Sequence, residues 1–118
     1  MSGLVLPEGS WWDWEVLAWD TDSLRLAADH DLTYHHGLEL TFHGPLLVHC
    51  PTSFQDPVFR PPAPAELAAV TDQLGERPGV LIPFTAEAGG RARVDCLIAA
   101  ERVEVIRELV LKWSPSGD

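Results

Sequence analysis

The chain has 118 residues, 46% of them hydrophobic, and its 18 Asp and Glu outweigh 8 Lys and Arg to leave a formal charge of −10. That length supports one domain with a core of its own, residues 1–118, and the charged fraction is too low for a disordered chain. An acidic surface repels phosphate backbones and anionic lipid; Arg91 and Arg93 are the nearest approach to a basic pair, so neither nucleic acid nor a membrane surface is an expected partner.

No apolar run approaches the ~18 residues of a membrane span. The N-terminus also lacks a charged segment followed by an apolar stretch, and the expected location is the cytoplasm. Two cysteines, Cys50 and Cys96, make no disulfide framework and are expected reduced and at least partly buried.

After an irregular lead-in over 1–10, Trp12 to Asp20 alternates. Trp12, Trp14, Val16 and Ala18 share one face and Asp13 and Glu15 the other, as a half-buried strand requires. Leu17 and Trp19 interrupt the polar face. Asp20-Thr21-Asp22 reads as a turn whose short polar side chains bond their own backbone, and Ser23–Ala28 as a strand facing Leu24 and Leu26 inward. A further run, Leu32 to His43, has Gly37 as a bulge or break; Leu38, Leu40 and Phe42 face inward and Glu39, Thr41 and His43 outward. His43-Gly44-Pro45 is expected to turn the chain into a return strand carrying Leu46, Val48 and Cys50, with Phe42 opposite Val48.

Prolines 51, 57, 61, 62 and 64 argue against a central strand between Pro51 and Pro64. Phe54, Val58 and Phe59 suit a loop pinned to the body. Pro64 can open a helix as its first residue; Leu67, Val70 and Leu74 recur at helical spacing, and Gly75 supplies the stop. The helix therefore spans 64–74. Val80 to Thr85 and Arg91 to Ala100 read as a hairpin around Gly89-Gly90, and Pro83 marks the first as an edge strand or a bulged one. The segment 101–113 reads as a strand burying Val103 and Val105 or as a helix burying Val103 and Ile106; its four β-branched residues favour the strand. Residues 114–118 form a frayed tail.

All five histidines fall between His30 and His49. On one strand His35, Glu39 and His43 are successively about 13 Å apart and cannot chelate one ion. Across the expected hairpin, however, His43 and His49 could approach as two ligands of a divalent metal needing a third from elsewhere. Solvated strand histidines are the plainer reading, and no cofactor is expected. Cys50 or Ser53 beside His49 are the candidates for nucleophilic catalysis, but neither sits in a nucleophile elbow, and Cys50 points away from its neighbour His49 in a strand.

Trp12, Trp14 and Trp113 suit a core where the first and last strands meet, whereas Trp11 and Trp19 are candidates for an interface. The stiff segment around Phe54, Asp56, Phe59 and Arg60 is the expected binding surface, because little ordering entropy is lost there on binding. In the plainer alternative the two phenylalanines plug the body and Arg60 pairs with Asp56.

The fold expected is mainly β (or α+β), one antiparallel barrel-like or sandwich domain of about six to eight strands with one short helix. Two functions follow. The first is a non-enzymatic binding or interaction module, antitoxin- or immunity-like in form, that meets a basic protein partner and pairs with its own copy along the apolar edge Val80–Thr85. The second is a small metal-dependent or hydrolytic enzyme using residues 35–50.

Overall fold

A computed structural model describes Leu4, Leu6, 11–29, 35–106 and 110–111. Its elements, in chain order, are β1 (Asp13–Trp19), β2 (Ser23–Asp29), β3 (His35–His36), β4 (Leu38–His49), β5 (Ser53–Phe59), α1 (Pro64–Leu74), β6 (Val80–Glu87), β7 (Val94–Ile106) and β8 (Val110–Leu111). Six of them close an antiparallel barrel in the order β1-β2-β4-β7-β6-β5, and β3 pairs with β8 in a separate ladder. The barrel is thus two three-stranded meanders, joined along β4·β7 and β1·β5. Closure removes the open edges that a sandwich would leave.

The interior is packed with side chains. Trp14, Leu24, Leu26, Leu38, Leu40, Phe42 and Phe54 are fully buried, with Phe84 and Ile98 beside them. Trp14 stacks on Phe54 at 5.9 Å and meets the edge of Phe59 at 5.5 Å, while Phe59 and Phe84 lie 4.9 Å apart. The Trp14 indole N–H donates to the carbonyl of Trp11 at 2.8 Å, which satisfies the one polar atom this ring brings inside. Burying each such aromatic is worth roughly 1.5–3 kcal/mol.

The helix is the one expected. Pro64 opens it, the Glu66 carboxylate accepts the Ala63 N–H at 2.8 Å, and Gly75 ends it at φ 77° with its N–H on the Thr71 carbonyl at 2.9 Å. Leu67, Val70 and Leu74 pack on Leu81, Leu97 and Ala99, which face outward from the barrel. That cover explains why β6 and β7 read as continuous apolar runs: Ile82, Phe84, Cys96 and Ile98 fill the inside while their neighbours meet the helix. No helix among the described residues is long and apolar enough to cross a membrane.

Several expectations are corrected. Gly44-Pro45 does not turn the chain; β4 runs on as one strand, because β7 accompanies it from Glu39 to His49. The register there slips between Pro45 and Leu47, a bulge with Gly44 at φ 61°. β2 leaves β4 at His43, so Pro45 sits where one side of the strand has no ladder to lose.

The Pro51–Pro64 segment is not a loop either, for Ser53–Phe59 pairs with β1 on one side and β6 on the other. Its single internal proline, Pro57, falls in the bulge between Gln55 and Val58, where no donor is required, and Asp56 adopts φ 48°. Val80–Thr85 is an edge only in part: β7 pairs with all of it, and β5 pairs with its end at Phe84 and Thr85. The Pro83 carbonyl accepts from the Arg60 N–H at 3.2 Å where β5 ends, so its missing N–H faces the end of that ladder.

In β1 a bulge between Val16 and Ala18 resets the alternation, leaving Ala18 exposed, while Trp12 is 40% exposed. Trp11, expected at an interface, packs against the core. The strand reading holds for 101–106, which continue β7 without a break. His30, Trp113 and the tail 114–118 lie outside the described residues.

Candidate functional site

Strand register assembles a continuous outer surface on the β5–β6–β7 half. Val58 pairs with Thr85, and Thr85 with Asp95, which makes one outward row across the three strands. In the adjoining outward row, Pro83 is opposite Leu97 and Leu97 opposite His49. Where these rows meet the start of α1, a cleft of about 340 Å³ is lined by His49, Arg60, Glu66, Asp95, Cys96 and Leu97.

Arg60 leaves the end of β5 and forks onto Glu66, with Nη2 donating to Oε2 at 2.7 Å and Nη1 to the other oxygen. The guanidinium, followed by the Ala63 N–H, holds the Glu66 carboxyl down at about 2. The partner expected for Arg60, Asp56, is therefore replaced by a residue in the first turn of the helix, six positions along the chain. Asp56 lies instead beside Trp12, whose carbonyl accepts its N–H at 2.8 Å. Arg93 ties this corner to β6: it donates to the Thr85 hydroxyl at 3.1 Å, to the Thr85 carbonyl at 3.0 Å and to the Asp56 carbonyl. Beside the bulge, Val58 is 60% exposed.

Of the residues singled out from sequence, Asp56, Arg60 and His49 come onto this one surface. Phe54 and Phe59 do not, since Phe54 is fully buried and Phe59 packs against the core. Trp19 is 60% exposed but stands at the far end of β1, beyond Glu15 where pairing with β5 stops. His43 and His49 share a strand rather than facing each other across a hairpin. His43 lies 3.0 Å from the Glu104 carboxylate on the other half of the barrel, and His49 opens onto the cleft. Among the described residues no group of three His, Cys, Asp or Glu is placed to hold a metal ion.

Burial pushes the Cys50 thiol up to about 11, with Cys96 adding to it, and burial also raises Cys96. Both therefore stand as thiols at neutral pH, poor nucleophiles beside His49. Glu66 is ionised and held by Arg60 rather than poised for proton transfer. The surface offers the carboxylates of Glu66 and Asp95, an exposed valine and a cleft.

Sequence reasoning missed Trp12, Val58, Glu66, Arg93 and Asp95 as members of this surface. Val58 had a signal, being the apolar residue out of phase with Phe59. Glu66 and Asp95 had none, because their roles depend on which strand and helix lie alongside. Compared with known proteins, the chain matches no family model, no curated protein and no solved structure.

Proposed function

We propose that the protein is a non-enzymatic binding module whose β5–β6–β7 outer face receives a basic protein, an antitoxin- or immunity-like pairing being one form of it. The observation that carries this reading is the register that lines up Val58 and Asp95 beside the cleft, with Asp56 and Trp12 at its flank. An exposed apolar residue in one row with Asp95, two residues along β5 from Asp56, suits a partner that presents a basic side chain next to an apolar one. The net charge of −10 favours encounter with such a partner. Rigid strands and the Arg93 contacts hold the face in shape, so little order has to be gained on binding. Cytoplasmic location belongs to the same reading, because free Cys50 and Cys96 suit a reducing compartment.

The test is quantitative capture from a cell lysate by the wild-type chain and by a Val58→Arg/Asp95→Arg variant, at two salt concentrations. Support is a basic protein enriched by the wild type, lost from the variant and weakened by salt. A set of captured proteins identical for the two chains overturns the reading.

A further inference from the structure

The β4–β7 ladder ends at the pair His49 and Leu97. Continuing that register one step past the end of the ladder sets Cys50 opposite Cys96, and the two are close enough for Cys96 to act on the Cys50 thiol. Directly opposed residues point to the same face, and both cysteines do: Cys96 belongs to the interior cluster, and Cys50 packs against it. The preceding inward pair on this ladder, Val48 and Ile98, is consistent with that phase. Opposed Cα atoms in an antiparallel pair lie about 4.5–5.5 Å apart, inside the range of roughly 4.4–6.8 Å that a disulfide spans. Both thiols are free in the structure, and Cys96 also lines the cleft beside Arg60 and Asp95.

We propose that Cys50 and Cys96 form a cross-strand dithiol that hydrogen peroxide converts into an intramolecular disulfide. The Cys96 sulfur attacks one peroxide oxygen, the O–O bond breaks, and water leaves behind a sulfenic acid. The Cys50 sulfur then attacks the Cys96 sulfur, the S–O bond breaks, and a second water departs. In total the two sulfurs give up two electrons and two protons, and the peroxide is reduced to two waters; a dithiol reductant reverses the change by exchange.

The bond closes the chain around β5, α1 and β6. It also ties down the second half of β4, which β2 no longer accompanies. Because burial keeps both sulfurs as thiols, both attacks are slow at neutral pH and accelerate as pH rises. This inference is independent of the binding role proposed above.

The experiment is a peptide map, without reduction, of folded wild-type protein after treatment with hydrogen peroxide, together with its intact mass. Expected are monomer lighter by two hydrogens, a linked peptide pair holding Cys50 and Cys96, a rate that climbs with pH, and recovery of both thiols with a dithiol. The Cys50→Ser variant should instead gain oxygen at Cys96 without losing two hydrogens. The proposal is overturned if both thiols survive peroxide that oxidises the urea-unfolded chain. It is equally overturned if oxygen adducts accumulate without the linked pair, or if the link appears only between two chains.

Discussion

The two meanders of the barrel obey one antiparallel rule and end up with different outer faces. On the β1–β2–β4 half, charge pairs occupy the outside, with Arg25 donating to Glu39 at 2.8 Å and, where β7 adjoins, His43 beside Glu104. On the β5–β6–β7 half, the outward Leu81 and Ala99 are buried under α1, and the uncovered remainder forms the cleft and the Val58 row. A helix laid on one half thus does two things: it supplies a second apolar layer, and its first turn walls a concavity. The lesson is that the site belongs to the seam between helix and sheet, not to any one strand.

The largest break in that comparison comes from the shared interior. Phe54→Ala should cost about 3–5 kcal/mol in urea unfolding, as expected for a large fully buried aromatic; a loss below about 1 kcal/mol would return Phe54 to the binding surface read from sequence. Next, Leu81→Ala removes the fully buried contact beneath α1 and should cost about 2–5 kcal/mol. Amide exchange should then rise in 64–74 more than in β2, and an even rise across both halves would deny the helix its separate layer.

Gly79→Ala acts on the seam at the start of β6, where an added Cβ would fall on the carbonyl oxygen of Glu101. The backbone must shift, for a loss of about 1–3 kcal/mol; an unchanged denaturation midpoint would contradict this close approach. On the charged half, Arg25→Ala should change stability by less than about 1 kcal/mol, because the guanidinium is half exposed and screened. A larger loss would mean that this outer face carries more than surface charge pairs.

The smallest effect concerns pH. Glu66 has its carboxyl lowered from 4.5 to about 2 in the folded chain, so the unfolded chain binds its proton first as pH falls. The stabilisation is whole above the ordinary glutamate range and disappears as pH drops through about 2. Glu66→Gln should therefore narrow the stability difference between pH 6 and pH 3, by less than about 1 kcal/mol given partial exposure. An identical pH profile for the two proteins would remove the Arg60–Glu66 pair from the account.

Local chemistry by itself determined the class of this protein. Period-two alternation marked β2 and the first half of β4. Pro64, the Leu67–Val70–Leu74 spacing and Gly75 delimited α1, and Gly89-Gly90 marked the hairpin between β6 and β7. These signals act within a few residues, through backbone preference and side-chain phase, so a chain can be read for them. What partners a strand has on either side is a property of neighbours distant in sequence. Only the tertiary structure therefore decided that Gly44 is a bulge rather than a turn, that proline-bearing β5 and β6 lie inside a closed barrel, and that Arg60 answers to Glu66. The same holds for the meeting of Asp95, His49 and α1, because a ladder aligns residues by position along two strands and not by nearness along one chain.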